Sequence, residues 1–180
     1  MVAIRNATLD DCPAIARVQV DSYRTAYAGI FPQEYLDGFT YKEQEQDWRG
    51  LLSSGSDDIL LVAEVDGSIT GYALGRPAAT GIPPYDCELL ALHVRRERQR
   101  QGIGTALAAA MADALRGKGC KSMMLWVLAE NPSRQFYERL GARLLPQTQI
   151  ANGAVEVAYG WKNVERLSAT APELAQEEEG

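Results

Sequence analysis

The sequence predicts an α/β (α+β) fold, in which a mixed, mostly antiparallel sheet of six to seven strands is flanked by about four helices. Two dipeptides, Asp66-Gly67 and Asn152-Gly153, each separate two apolar runs and favour the positive φ angles of a tight hairpin turn. Between residues 87 and 128 a strand, a helix and another strand follow one another, which is typical of a right-handed parallel crossover. Antiparallel hairpins and one parallel pair are therefore expected in the same sheet.

The first third of the chain is predicted to contain one strand followed by helices. Val2 to Ala7 is predicted to be a strand, and Thr8 with Asp11 has the form of a helix N-cap pair. The helix that follows is expected to run through Tyr23. After an aromatic, turn-rich segment, a further helix is predicted over residues 42 to 52.

The remaining elements follow from apolar runs and turn residues. Strands are predicted over residues 59–65, 68–74, 87–94, 121–128, 143–150 and 155–161. A helix is expected to begin near Gly102, because Ile103, Leu107, Met111 and Leu115 form one apolar stripe. Asn131 and Pro132 predict a short helix that ends at Gly141. We assign residues 1–166 to one domain and 167–180 to a flexible acidic tail.

Composition excludes several classes of protein. The 180 residues suffice for one domain with a sizeable core, and the net charge of −6 argues against a general nucleic-acid binder. No apolar run approaches the roughly 20 residues of a membrane span, and the first residues lack the apolar core of a secretory signal. Cys12, Cys87 and Cys120 are widely separated, so we expect no disulfide framework, no metal site and a reducing, cytoplasmic location.

The segment Gln99-Arg-Gln-Gly-Ile-Gly104 carries the strongest functional signal. It joins a predicted strand to a predicted helix, so its backbone N–H groups and the helix dipole favour a phosphate or pyrophosphate. Gly102 and Gly104 lack a Cβ, which allows a ligand close to the backbone. The segment lacks the third glycine of a dinucleotide fingerprint and the Gly-Lys-Ser/Thr of a Walker A loop. The alternative interpretation is a solvated, glycine-capped loop that precedes the helix and binds no ligand.

These residues resemble the Gln/Arg-x-x-Gly-x-Gly/Ala signature of the GCN5-related N-acetyltransferase (GNAT) family, with Gln99, Gly102 and Gly104 at the matching positions. A second segment, Asn131-Pro-Ser-Arg-Gln-Phe-Tyr-Glu-Arg-Leu-Gly-Ala142, resembles the family's Asn…Phe-Tyr-Glu-x-x-Gly-Phe segment. The order of elements is also similar over about residues 2 to 163. The resemblance implies the GNAT fold and acetyl transfer from acetyl-CoA to an amine.

The resemblance also implies which residues would hold acetyl-CoA. The glycine-rich loop would take the pyrophosphate, the preceding strand would pair with the pantetheine arm, and a backbone N–H at or next to Val94 would polarise the thioester carbonyl. The expected cofactor-binding residues are Leu92, His93, Val94, Gln99, Arg100, Gln101, Gly102, Ile103, Gly104, Thr105, Asn131 and Tyr137.

Tyr137 is the expected general acid, because the family's tyrosine at this position protonates the coenzyme A sulfur. A phenol suits donation to a thiolate of similar basicity. Glu88 is our first choice for the base, since it is an acid in an apolar strand and a buried carboxylate can have a raised pKa. Strand alternation places Glu88 on one face with Leu92 and Val94, and His93, the second choice, on the other.

The acceptor is less well defined by the sequence. Residues 23 to 35 resemble the variable segment that covers the amine site in the family, and Tyr27, Phe31 and Glu34 are the expected substrate contacts. Aromatics that simply pack inward are an equal alternative. We expect the acceptor to be a small-molecule or peptide amine, with a weak preference for a cationic one. We expect neither nucleic acid nor a membrane as a partner, and a homodimer is one option for the oligomeric state. A non-catalytic acyl-CoA-binding sensor or interaction domain is the alternative function.

Overall fold

The computed structural model describes residues 2–78 and 80–167. Its order of elements is the predicted one, with one further short helix after the aromatic segment. The strands are β1 (Val2–Asn6), β2 (Ile59–Val65), β3 (Ser68–Arg76), β4 (Cys87–Val94), β5 (Met123–Leu128), β6 (Arg143–Ala151) and β7 (Ala154–Trp161). The helices are α1 (Cys12–Ala26), α2 (Gln33–Asp37), α3 (Tyr41–Ser53), α4 (Ile103–Gly117) and α5 (Arg134–Arg139).

All seven strands form one sheet in the order β1-β2-β3-β4-β5-β7-β6. Among the strands of the described residues only the central pair β4–β5 is parallel, so the expectation of a mixed, mostly antiparallel sheet is confirmed. Both hairpin turns have the predicted backbone, with φ of 51° and 75° at Asp66 and Gly67. The corresponding values at Asn152 and Gly153 are 50° and 79°.

Helices cover both faces of the sheet. On one face, α4 buries its whole predicted stripe, and Ile103, Leu107, Met111 and Leu115 are at most 2% exposed. On the other face α1 and α3 pack on β2 and β3 in a second core. The capping pair before α1 is confirmed, because the N–H of Thr8 donates to Asp11 Oδ2 at 2.8 Å, although a 3₁₀ turn at Leu9–Asp11 precedes the α-helix.

The parallel strands β4 and β5 meet at one end only. They pair at Cys87↔Met123 and Glu88↔Met124, and no further pair joins them in the described structure. Asp86 holds this closed end, because its carboxylate accepts hydrogen bonds from the N–H groups of Lys121 and Ser122 at 3.0 and 2.9 Å. Beyond it the strands separate, which opens a cleft in the middle of the sheet.

A bulge in β4 changes the face to which its residues point. The register skips Leu90, since Leu74 pairs with Ala91 and Gly75 with Leu89. Cys87 and Leu89 therefore pack toward α4 before the bulge, whereas Leu92 and Val94 do so after it. The prediction that Glu88 shares a face with Leu92 and Val94 is wrong, because simple alternation ignores the extra residue. Glu88 instead points to the α1 side, the side on which His93 lies.

Among the boundaries that differ from the expected ones are the start of α5 and the start of the tail. The last short helix begins at Arg134 rather than at Pro132, because Asn131 and Pro132 form a turn in which Asn131 Oδ1 accepts from the N–H of Ser133 at 2.9 Å. Leu167, where the tail is predicted to begin, is 1% exposed in the α4-side core. The predicted tail beyond it lies outside the described residues. None of the described helices has the length and apolar character needed to cross a membrane.

Candidate active site

The separation of β4 and β5 creates a cleft of about 650 Å³. Its walls are most of β4, the second part of β5, the last turn of α1, the loop before α4, α5 and Glu156 of β7. The predicted site residues that line it are Tyr27, Leu92, His93, Val94, Gln99, Arg100, Gly104, Asn131 and Tyr137. The structure thus brings most of the predicted site to one place.

The loop before α4 has the backbone of an anion site. Arg100 and Gly102 both have left-handed φ angles, 62° and 71°, and Gly102 is the N-cap of α4. The first α-helical hydrogen bond runs from the N–H of Ala106 to the Gly102 carbonyl at 2.9 Å, so the preceding N–H groups point out of the helix end. Such donors favour a phosphate.

Three predicted loop residues contribute no side chain to the cleft wall. Ile103 and Thr105 are at most 2% exposed, and their side chains are part of the interior. The Gln101 side chain is exposed and donates to the carbonyl of Glu97. Any contact of these residues with a phosphate would therefore come from their backbone N–H groups.

Gln99 connects the loop to the end of β4. Its Nε2 donates to the carbonyl of Val94 at 3.1 Å, so the residue aligns the strand end with the loop. On its cleft side β4 has no strand partner beyond Glu88 in the described structure. Its backbone there is available to an extended ligand arm, as the pantetheine prediction requires.

The small size of Gly104 has a packing cause in addition to the predicted approach of a ligand. A Cβ at this position would lie 3.3 Å from Cζ of Phe136, which is tighter than ordinary van der Waals contact. The residue therefore allows α5 to pack closely against the start of α4, and this contact fixes the position of the neighbouring Tyr137. Ligand approach alone does not explain the glycine.

Tyr137 lies in the cleft on α5 and is 8% exposed. Its ring is packed against Phe136 and Trp161, with centroids 5.2 and 6.3 Å away. Burial raises the pKa of Tyr137 to about 12, so the phenol keeps its proton at neutral pH. A protonated hydroxyl held by two aromatic neighbours suits a general acid.

The two candidate bases differ in their surroundings. Burial is the main cause of the raised pKa of Glu88; Arg76 lowers it and Glu156 raises it further. Glu88 is half-buried and does not line the cleft directly. His93 does line it, but its ring is packed 5.4 Å from those of Tyr23 and Tyr72, and burial lowers its pKa to about 4. His93 is therefore a weak base.

The predicted acceptor residues separate in the structure. Tyr27 lines the cleft, and its ring stacks edge-on against that of Tyr23 at 4.7 Å. Phe31 contacts Tyr27 at 5.6 Å but does not line the cleft, and Glu34 is exposed on α2 outside it. Glu156 on β7 is a half-buried carboxylate of the cleft wall that the sequence does not predict. Polar residues are common in a hairpin strand, so the sequence around Glu156 does not indicate that this carboxylate lies in the site.

The comparisons with known proteins agree with this geometry. Residues 20–142 match the model of the acetyltransferase (GNAT) family. The chain belongs to this family. An uncharacterized N-acetyltransferase of Bacillus subtilis, YuaI, is 37% identical over 170 residues, which cover 93% of this chain and 96% of that protein. The GNAT assignment makes the protein an acetyl-CoA-dependent N-acetyltransferase, which sets aside the alternative of a non-catalytic sensor.

Two more distant relatives extend the comparison of this GNAT protein. A spermidine N(1)-acetyltransferase of Thermoplasma acidophilum is 24% identical over 148 residues, covering 79% of this chain and 89% of that protein. The crystal structure of PaiA N-acetyltransferase from Thermoplasma acidophilum in complex with coenzyme A superposes with a TM-score of 0.72 at 22% identity, over 89% of this chain and 99% of that one. This similarity confirms the fold.

Proposed function

We propose that the protein transfers the acetyl group of acetyl-CoA to a primary amine of a small molecule or peptide, by direct attack in a ternary complex. The observation that carries this proposal is the position of Tyr137, a protonated phenol in a cleft that also contains an anion-binding loop and an open strand edge. Holding two reactants in one cleft converts a bimolecular reaction into an effectively unimolecular one.

Cofactor binding is assigned to backbone groups. The N–H groups from Arg100 to Gly104 would hold the pyrophosphate, and the free side of β4 would hold the pantetheine arm. The guanidinium groups of Arg96 and Arg100 line the same part of the cleft and favour negative charge. A backbone N–H at or next to Val94 would polarise the thioester carbonyl oxygen.

The chemical step needs two proton transfers in opposite directions. The amine nitrogen attacks the thioester carbonyl carbon, the C–N bond forms, and the C–S bond breaks. Glu88 receives the proton that leaves the nitrogen, through water because the carboxylate does not line the cleft directly, and Tyr137 donates its proton to the departing sulfur. Exchange with solvent then restores both groups.

A small amine as acceptor is supported by the cleft and by one relative. The acceptor side contains the rings of Tyr23 and Tyr27 and the carboxylate of Glu156, which suit an amine. The name of the spermidine N(1)-acetyltransferase relative points the same way.

A thiol-release screen tests the proposal. The protein is incubated with acetyl-CoA and amines, amino acids, polyamines, aminoglycosides or short peptides, and free coenzyme A is measured. We expect release with at least one primary amine and acetyl-CoA binding by calorimetry. Binding without release for any acceptor contradicts the proposed reaction, and no binding at hundreds of micromolar contradicts the cofactor assignment.

A further inference from the structure

The carboxylate of Glu156 has no role in the acetyl-transfer chemistry described above. It lies on β7, half-buried in the wall of the cleft, in register with Leu128 of β5. Its described hydrogen bond comes from a neutral group, Nε2 of Gln149, at 2.7 Å. The ion pairs among the described residues do not include Glu156, so its carboxylate lines the cleft without a salt-bridge partner.

The surroundings of Glu156 in the cleft come from β5 and from the end of α1. Ala158, two residues along β7 on the same face, pairs with Trp126, whose indole also lines the cleft. From α1 the rings of Tyr23 and Tyr27 close the same space. Burial is the main cause of the raised pKa values of both tyrosines and of Glu88, and the negative charge of Glu156 is a further cause that raises each of them. A carboxylate beside aromatic rings is the usual composition of a site for an organic cation.

The reacting nitrogen cannot be the cation that Glu156 binds. An amine attacks a thioester only in its neutral form, so an ion pair present in the reactive complex must involve a second ammonium group. Glu88, the proposed base, is level with Met124, whereas Glu156 is level with Leu128, four residues further along β5. Trp126 lies between these two levels. The two carboxylates thus lie at separate positions along β5, and Glu156 is the one that lines the cleft.

From this arrangement we infer that Glu156 determines acceptor specificity by pairing with the non-reacting ammonium group of an aliphatic diamine or polyamine. The alkyl chain of such an acceptor lies against Trp126 and Tyr27. This inference rests on the proposed amine acetylation and adds the substrate class. An unpaired carboxylate in the cleft also disfavours anionic acceptors, since like charges repel.

The test compares acceptors that differ only in the second charge. Steady-state rates of coenzyme A release are measured with n-butylamine, 1,4-diaminobutane and spermidine, for the wild type and for Glu156→Gln. The variant keeps the size of the side chain and removes its charge. Glu130→Gln is the matched control, because Glu130 is exposed near the end of β5, outside the residues that line the cleft.

We expect the wild type to prefer the diamine and spermidine over n-butylamine by about tenfold or more in kcat/KM. Glu156→Gln should reduce this preference to about twofold through a higher KM for the diamines, with the KM for acetyl-CoA unchanged. Glu156→Asp should retain part of the preference, and Glu130→Gln should retain all of it.

Two results would overturn the inference alone: equal use of n-butylamine and 1,4-diaminobutane by the wild type, or an unchanged preference in Glu156→Gln. If the wild type acetylates none of these amines or the wider set but still binds acetyl-CoA, the proposed reaction fails and the inference with it. Thermal melting of each variant excludes misfolding as the cause of a lost preference.

Discussion

The two ends of the cleft are built in different ways. The end at which we propose that the cofactor binds consists mainly of backbone groups from one short segment, Gln99 to Gly104, and the adjoining end of β4. The acceptor end consists of side chains from α1, β4, β5 and β7, which are up to 133 positions apart along the chain, from Tyr23 to Glu156. The first end is local in sequence, and the second exists only after the sheet has formed.

This difference determines which amino-acid substitutions each end of the cleft tolerates. A backbone site depends on dihedral angles, so only residues such as Gly102, with a φ of 71°, are irreplaceable there. A side-chain site depends on which groups face the cleft, so it can acquire a new specificity by single substitutions without loss of the fold. Variants at the two ends should therefore separate cofactor affinity from turnover and acceptor choice.

The largest effect is expected from Tyr137→Phe, which lies between the two ends. Removal of the hydroxyl should lower kcat by about tenfold to a thousandfold, because the thiolate then leaves without general acid catalysis. Coenzyme A affinity, measured by calorimetry, should change little, since the ring and its packing remain. Unchanged turnover under conditions in which chemistry is rate-limiting would remove Tyr137 from the mechanism.

At the cofactor end, Gly102→Val should weaken acetyl-CoA binding by roughly tenfold. A branched side chain at a φ of 71° is strained by about 1–3 kcal/mol, and it distorts the N–H groups that face the phosphate. The control is Gly117→Val at the other end of α4, where the backbone is not left-handed and no atom lies within 4 Å of the position that a Cβ would occupy. Equal affinity of the two variants would mean that the pyrophosphate site lies elsewhere.

At the acceptor end, Glu88→Gln should give a deficit that depends on pH. Glu88 accepts a proton only when ionised, so its contribution is lost as the pH falls through its raised pKa. The deficit should be greatest above that pKa and well below the pKa of the acceptor amine, and it should shrink as the amine loses its proton unaided. Rates of the variant and the wild type across this range test the assignment, and a constant ratio would contradict it.

The smallest effect is expected from Glu34→Gln. The sequence predicts a substrate contact here, but the side chain is exposed on α2, outside the residues that line the cleft. Turnover and KM for any accepted amine should stay within about twofold of the wild type, as for most surface substitutions. A several-fold rise in KM would restore the predicted contact and imply that α2 moves toward the cleft when the acceptor binds.

Local sequence was sufficient to predict most of the elements and the glycine-rich turn that begins α4. Asp66-Gly67 and Asn152-Gly153 predict their hairpins because only certain residues accept positive φ angles at low cost. The stripe from Ile103 to Leu115 predicts α4 because burial follows the helical period. The glycine-rich segment predicts an anion site for the same reason: its donors belong to consecutive residues, so their geometry depends on a few neighbouring dihedral angles.

Tertiary structure alone decided the acceptor end. The skipped pairing at Leu90 reversed the face of Glu88 relative to Val94, and a bulge of this kind depends on the partner strand rather than on the local sequence. Glu156 became part of the cleft only because β7 pairs with β5 next to the point where β4 and β5 separate. Side chains distant in sequence meet through strand order and register, which are set by the packing of the whole sheet.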